Sequence, residues 1–155
     1  MCRVFWVIIL LLIFSCKNRQ EVLQENFEKT LRLMHNNNIS QYKAYLVIPN
    51  AGCEGCISSA ERFVIDNIKQ ENDLMVIFTK INSMKILKLK IKEVINSPNI
   101  IFDKDNLMYS NHVESIYPMI FYVKNSQISN MEYISPDNVN GLTNLKISLA
   151  SQDSF

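Results

Sequence analysis

Glycine is scarce in this chain, with 3 residues among 155. A loop that cradles phosphate needs several glycines so that its backbone can approach the ligand, and this scarcity argues against a phosphate-loop enzyme. A strong excess of positive charge is also missing, because 16 basic and 15 acidic residues leave a net charge of +1. No basic patch with interleaved aromatic residues is present, so we expect no nucleic-acid partner.

Histidine is also scarce, with only His35 and His112 in the chain. We interpret both as surface residues rather than metal ligands. No pair of carboxylates stands out from the solvated charges, and no serine-protease arrangement is supported. The sequence therefore predicts no metal site and no cofactor.

A long apolar run is missing too. Residues 4–14 are unbrokenly apolar, but as a helix they would rise only about 16 Å, short of the roughly 30 Å core of a bilayer. Because Arg3 precedes this run, residues 1–15 are typical of a signal peptide rather than of a membrane-spanning anchor.

The signal ends in Leu-Ile-Phe-Ser-Cys, at residues 12–16. This ending resembles a bacterial lipobox, although Phe14 is bulkier than the usual residue there. The resemblance implies cleavage before Cys16 and attachment of a lipid to that cysteine. It places the protein in the cell envelope, anchored to the inner or the outer membrane and facing the periplasm. The alternative is an ordinary secretory signal in which Cys16 is incidental.

Two cysteines, Cys53 and Cys56, remain after the signal peptide and the lipid have taken Cys2 and Cys16. They form a C-x-x-C pair between a strand-like run and a helix-like run, the position where redox chemistry and soft-metal binding are usually built. Disulfides persist outside the cytoplasm. A disulfide across so short a loop removes little entropy from the unfolded state. The pair is therefore better suited to thiol–disulfide exchange than to a purely structural role.

The remaining pattern predicts an amphipathic helix followed by alternating strands and helices. The helices are expected at 21–34, 53–67, 83–94 and from Pro136 onward with Ser135 as the N-cap, and the strands at 42–48, 74–78, 99–102, 119–123 and 128–133. Residues 107–115 have no clear pattern. The last helix is expected to bury Val139, Leu142, Leu145 and Leu149.

Strand, C-x-x-C, helix, strand, helix, and then a proline-led hairpin and a final helix together resemble the thioredoxin fold. Residues 101–106 and 116–128 are similar to the second half of the membrane-tethered extracytoplasmic thioredoxins, the TlpA/ResA type. The resemblance implies an α/β fold of three layers, with a mixed central sheet flanked by helices. It covers about residues 42–150, within a domain at 42–155 that is preceded by the lipid-attached helix and linker at 16–41. It also implies that Pro118 follows a cis bond, lies against the cysteines and shapes the substrate groove.

Two departures from that family concern the site. The family usually carries tryptophan before the first cysteine and Gly-Pro between the two, where this chain has Gly52 and Glu54-Gly55. The buried carboxylate six residues before the first cysteine is replaced by Val47. Glu54 or Glu61 are the candidates to supply an acid instead, and the sequence leaves both open.

The resemblance implies a thiol–disulfide oxidoreductase whose partners are protein dithiols or disulfides and a redox donor. Cys53, at a helix N-terminus that stabilises a thiolate, would attack, and Cys56 would resolve the mixed disulfide. Glu54 disfavours the thiolate beside it, which favours a reductase. Two alternatives stay open: a redox-inactive scaffold that binds a partner, and a soft-metal protein that holds copper or zinc with the same cysteines.

Overall fold

The structure is a computed structural model that describes residues 18–35 and 41–151. The predicted signal peptide and the predicted lipidation site at Cys16 lie outside these residues. The described elements are α1 (Arg19–His35), β1 (Ala44–Pro49), α2 (Glu54–Asn67), β2 (Leu74–Thr79), α3 (Met84–Lys90), β3 (Ile100–Phe102), α4 (Leu107–Ser110), β4 (Met119–Lys124), β5 (Gln127–Tyr133) and α5 (Gly141–Ala150). None of the described helices is long and apolar enough to cross a bilayer.

Five strands form one mixed sheet in the order β3-β2-β1-β4-β5. The parallel half joins β1 to β2 and β2 to β3, and the antiparallel half joins β1 to β4 and β4 to β5. Strands β1 and β2 are buried along their whole length, which is typical of strands covered on both faces. Because the two strands are parallel, their carboxyl ends meet at one edge of the sheet, and the loop with the cysteines leaves from there.

Helices cover both faces of this sheet, as the predicted three-layer architecture requires. Alternate residues of each strand point to opposite faces. One face carries Leu46 and Ile48 of β1, packed with side chains of α2, α3 and α5. The other carries Tyr45 and Val47, packed with side chains of α1 and with Met108 of α4. The predicted amphipathic helix is therefore a structural layer, because its apolar stripe packs on the sheet.

The start of the last helix was predicted wrongly. Pro136 does not open it, because α5 begins at Gly141. Ser135 instead forms an isolated β-bridge with Asn138, whose side chain donates to the carbonyl oxygen of Tyr133 at 2.9 Å. These contacts hold the segment in an extended turn. Val139 consequently lies outside the helix and is exposed rather than buried.

Helix α3 and the region after β3 also differ from the prediction in detail. Ser83 caps α3, since its hydroxyl accepts a hydrogen bond from the Ile86 amide at 3.3 Å. The helix ends at Lys90, four residues before the predicted end. The region without a clear pattern contains the short helix α4. The buried carboxylate of Asp103 starts it by accepting hydrogen bonds from the amides of Leu107 and Met108 at 2.8 and 3.0 Å.

Candidate redox site

The cysteine pair lies where β1 gives way to α2. Strand β1 ends at Pro49, and Cys53 is the N-cap residue of α2 with an extended backbone. Its carbonyl oxygen accepts a hydrogen bond from the Ile57 amide at 2.9 Å. Cys56 follows one turn later on the same helix. The amides of the first helical turn have no partner within the helix, so the positive end of the helix dipole lies beside Cys53.

Cys53 and Cys56 are joined as a disulfide, with their Cα atoms 5.3 Å apart. The two residues differ in exposure, because Cys53 is only partly buried whereas Cys56 is 9% exposed. Cys56 belongs to the apolar cluster beneath α2. An incoming sulfur atom can therefore reach Cys53 more easily than Cys56.

Gly52 brings the loop before Cys53 against the proline loop, the segment 113–117 that precedes Pro118. Its φ of +149° is one that residues with a β-carbon rarely adopt. A β-carbon on Gly52 would lie 2.1 Å from the carbonyl oxygen of Ile116. Glycine is therefore required here on two counts, backbone conformation and close approach. The tryptophan that thioredoxins usually carry at this position could not be accommodated in this loop.

A backbone hydrogen bond joins the two loops at the disulfide. The Cys53 amide donates to the carbonyl oxygen of Ile116 at 2.8 Å. The Ser115 hydroxyl accepts a hydrogen bond from the Tyr117 amide at 2.9 Å, which tightens the proline loop. Pro118 is buried, and its carbonyl oxygen accepts from the Ile134 amide at 2.9 Å. The structure thus brings the proline loop to the cysteines, with Ile116 as its contact residue.

The predicted cis bond before Pro118 is wrong, because the described residues contain no cis peptide bond. A trans bond is the intrinsic preference before proline by about 0.5–1 kcal/mol. The loop in this chain meets the cysteines through Ile116, two residues before the proline. Its contact with the redox pair is therefore made with the Tyr117–Pro118 bond in the trans form.

An ion pair holds the other end of the proline loop. The Lys80 ammonium, just after β2, lies 3.5 Å from a carboxylate oxygen of Glu114 and 5.4 Å from the centre of the Tyr109 ring. Lys80 itself has a left-handed backbone, with φ of +51°. The loop is thus tied to the carboxyl ends of both β1 and β2, the edge where the disulfide lies.

The two candidate acids near the pair have different surroundings. Glu54 is exposed in the first turn of α2. Glu61 is 6% exposed, and its carboxylate lies 3.2 Å from the Lys90 ammonium of α3. Val47, which stands where thioredoxins carry a carboxylate, is fully buried among apolar side chains on the opposite face of the sheet from α2. Glu61 therefore links α2 to α3, and Glu54 is the acid next to Cys53 in sequence.

A groove of about 480 Å³ lies beside the proline loop. Residues from three parts of the chain line it: the first turn of α1, the proline loop, and the end of β5 with the loop after it. They are Arg19, Gln20, Glu114, Ser115, Ile116, Tyr117, Tyr133, Ser135 and Asp137. A second cavity of about 370 Å³ shares Arg19, Glu114 and Tyr133 with the groove and extends it along α1. Ile116, between the groove and the disulfide, is an exposed apolar residue.

Within residues 18–35 and 41–151, no group of three or more histidine, cysteine, aspartate or glutamate residues is placed to hold a metal ion. His112 is exposed and lines the second cavity. A metal at Cys53 and Cys56 would thus have only two thiolates from the described part of this chain, and two thiolates do not close a tetrahedral zinc site.

Three features of this site were not identified from the sequence. The close approach of Gly52 to Ile116 had a signal, since one of only three glycines directly precedes Cys53. The ion pair between Lys80 and Glu114 had no signal in the sequence, because it joins residues distant in the chain. The position of Arg19 at the edge of the groove also had no signal in the sequence. The periodicity of α1 does not indicate which end of the sheet the first turn of this helix reaches.

Comparison with known proteins supports the fold. No protein-family model matches the chain, and no curated protein matches it. Among solved structures, the chain is similar to the solution structure of a "putative thioredoxin" from Neisseria meningitidis, with a TM-score of 0.50 and 16% identity. The match covers 76% of this chain and 81% of that one. The chain therefore has a thioredoxin-like fold, which confirms the predicted fold class.

Proposed function

We propose that this protein is a thiol–disulfide oxidoreductase of the TlpA/ResA type that reduces protein disulfides with Cys53 and Cys56. One observation carries the proposal. The two cysteines form a disulfide at the N-terminus of α2, and the backbone amide of Cys53 is bonded to Ile116 in the loop before Pro118. A thioredoxin-like fold with such a pair fits redox exchange with other proteins.

The reaction begins from the reduced pair. The Cys53 thiolate attacks one sulfur of a substrate disulfide, forming a mixed disulfide and releasing the other substrate sulfur as a thiolate. The Cys56 thiolate then attacks the Cys53 sulfur, which forms the Cys53–Cys56 disulfide and releases the second substrate thiolate. The substrate gains two electrons and the pair loses two. A donor dithiol at the membrane or in the periplasm restores the pair by the same exchange.

The charges around Cys53 support the proposed reducing direction. The N-terminus of α2 stabilises a thiolate at this position, but the carboxylate of Glu54, the next residue, disfavours it. Strong oxidants are those whose reduced, thiolate form is stabilised. A pair with an adjacent carboxylate is therefore expected to release electrons to substrates rather than to take them.

The proline loop and the groove beside it supply the docking surface in this proposal, and Pro118, which is buried, shapes that loop. The pyrrolidine ring of Pro118 fixes its φ at about −65°, which limits the conformations of the loop against which a substrate strand would lie. We expect Pro118→Ala to keep the fold while weakening substrate complexes. Normal turnover of a protein disulfide by this variant would count against the docking role.

The redox potential of the pair tests the central claim. The soluble fragment that starts after Cys16 is equilibrated against glutathione or dithiothreitol, and the free thiols are then alkylated and counted. We expect a reversible two-electron couple closer to the roughly −270 mV of thioredoxin than to the roughly −120 mV of DsbA. A value near the latter would reverse the direction of the reaction.

Other outcomes of the same titration favour the alternative functions. A disulfide that reductants cannot open in the folded protein would indicate a binding scaffold, for which Gly52 and Val47 in place of the family residues are the supporting observation. Stoichiometric copper or zinc on a pair that resists oxidation would indicate a metal site.

Two serine variants test the separate roles of the cysteines. Cys56→Ser should accumulate a mixed disulfide with substrate, whereas Cys53→Ser should not.

The membrane anchor is the second part of the proposal. We propose that Cys16 carries the lipid and that the domain faces the periplasm from the inner or the outer membrane. Mass spectrometry of the mature full chain should find a diacylglyceryl group on an N-terminal Cys16. Cys16→Ser should abolish both that modification and partition into the membrane fraction. A membrane fraction that is unchanged in this variant would refute the anchor.

A further inference from the structure

Helix α1 begins almost at the proposed lipidation site. Asn18 caps the helix: its side-chain oxygen accepts from the Gln20 amide at 3.3 Å, and its own amide donates to the Glu21 carboxylate at 3.3 Å. This reciprocal arrangement resembles a capping box, with the side-chain bond made to the second helical amide instead of the third. Only Lys17 separates Cys16 from Asn18 in the sequence. Because consecutive Cα atoms are 3.8 Å apart, two successive peptide links span at most about 8 Å.

The helix is fixed to the rest of the domain and does not act as a flexible tether. Phe27 is fully buried, and its ring stacks on that of Phe121 with 3.8 Å between the ring centres. The Glu28 carboxylate accepts a hydrogen bond from the Ile128 amide of β5 at 2.9 Å. These contacts to β4 and β5 set the position of the N-terminus of α1 relative to the sheet.

That N-terminus lies at the same end of the domain as the disulfide. Arg19 and Gln20 line the groove of about 480 Å³ together with Ile116 and Tyr117. Ile116 in turn accepts the hydrogen bond from the Cys53 amide. The residue next to the helix cap and the redox pair are thus separated by little more than one groove.

We propose that α1 holds the redox groove at the membrane surface, so that the substrates are disulfides of proteins anchored in the same membrane. The proposal rests on the proposed lipid at Cys16. A domain of this size is about 35 Å across, and the short link at Lys17 places the groove on the half nearest the lipid. A disulfide carried close to the membrane can reach Cys53, and one held far above it cannot.

The experiment compares disulfides at two heights above one membrane. The lipidated full chain, prereduced, is reconstituted in vesicles with one of two lipid-anchored peptides that carry the same disulfide. One presents it directly at the surface and the other on a helical spacer of about 60 Å, or about 40 residues. We expect reduction of the surface disulfide to be faster by about tenfold or more, because the effective concentration near Cys53 depends on reach.

Two insertion variants and a soluble peptide disulfide complete the design. About 24 Gly/Ser residues between Lys17 and Asn18 add roughly 25–30 Å of flexible reach and should lower the ratio of the two rates to below about threefold. The same segment added after Phe155 should leave the ratio unchanged. All three proteins should reduce the soluble disulfide at equal rates.

The outcomes separate this inference from the proposed function. Equal rates at the two heights for the native chain, with normal reduction of the soluble disulfide, would overturn the membrane-facing groove and leave the reductase intact. An unmodified Cys16 in the reconstituted protein would overturn it as well. Failure to reduce any disulfide, the soluble one included, would overturn the proposed function and this inference with it.

Discussion

Gly52 and Ile116 approach so closely that a β-carbon on the glycine would lie 2.1 Å from the carbonyl oxygen of Ile116. The next residue, Cys53, donates its amide proton to that same oxygen at 2.8 Å. The loop before Cys53 and the proline loop are therefore joined backbone to backbone, with no side chain between them. This arrangement leaves no room at Gly52 for the tryptophan that thioredoxins usually carry before the first cysteine.

Replacing Gly52 by alanine should damage both the fold and the redox site. The β-carbon meets backbone atoms, which cannot move aside as a flexible side chain would, and φ of +149° is strained for alanine. We expect Gly52→Ala to lower the free energy of unfolding by roughly 1–3 kcal/mol, as measured by urea denaturation. The altered contact should also change the rate at which dithiothreitol opens the Cys53–Cys56 disulfide.

Gly55 offers a matched control three residues away. A β-carbon there would meet no atom within 4 Å, and the residue lies in the first turn of α2. Gly55→Ala should therefore be neutral or stabilise the protein by up to about 1 kcal/mol, because alanine is the better helix former. Equal losses in the two variants would show that the contact of Gly52 with Ile116 does not constrain the site.

Phe27 should contribute strongly to stability if α1 is a structural layer. Its ring is fully buried between Phe121 and Tyr45, stacked on the first and edge-on to the second. Phe27→Ala should cost about 3–5 kcal/mol, the usual cost of emptying an aromatic site in a core. Leu33→Ala, at a position on the same helix that is 60% exposed, should stay within about 0.5 kcal/mol. A Phe27→Ala value as small as that of the control would indicate that α1 is only loosely attached.

The layers of the fold could be read from the sequence because they depend on local pattern. Strands β1 and β2 are short apolar runs, and the stripe of α1 repeats with helical spacing, so both were expected. Long-range contacts have no such local signature. The approach of Gly52 to Ile116 spans more than 60 residues of chain, and Lys80 meets Glu114 through two loops.

Two expectations about prolines were wrong, each for its own reason. Pro136 after a serine is a good local signal for a helix start, but Asn138 binds Tyr133 and Glu132 of β5 and holds this segment against the sheet. The cis bond was inferred from a family pattern for Pro118, whereas this chain makes the contact through Ile116. In the first case contacts with the neighbouring strand decided the local conformation, and in the second a pattern of the family did not transfer to this chain.

Lys90 should matter more than its exposure suggests, because its partner is buried. Both carboxylate oxygens of Glu61 accept from the Lys90 ammonium, at 3.3 and 3.2 Å. Lys90→Met would leave the carboxylate buried and unpaired, and we expect a loss of about 1–2 kcal/mol in urea denaturation. The loss is smaller than for a fully buried pair, because solvent reaches the ammonium and screens it. Lys88→Met, an exposed position of the same helix, should change little, and an equal effect would show that water already reaches Glu61.

The last prediction concerns alkaline pH and begins with Tyr122. Burial, and then the hydrogen bond that its hydroxyl donates to Glu132, raise the pKa of Tyr122 far above its ordinary value of 10.0. Burial also raises the pKa of Tyr45 and of Tyr42. The neutral phenol is therefore favoured in the folded state. Above about pH 10 the unfolded chain loses these protons while the folded protein keeps them.

Stability should consequently be constant with respect to these groups below about pH 10 and should fall as the pH rises further, since the unfolded state then binds fewer protons. Each such tyrosine adds a slope of at most about 1.4 kcal/mol per pH unit. Tyr122→Phe should make the fall between pH 10 and 11.5 shallower by roughly 1 kcal/mol per unit, at a cost of about 1 kcal/mol at pH 7 for the lost hydrogen bond. Urea denaturation across this range measures both effects. The same slope in Tyr122→Phe as in the native protein would contradict the role of burial.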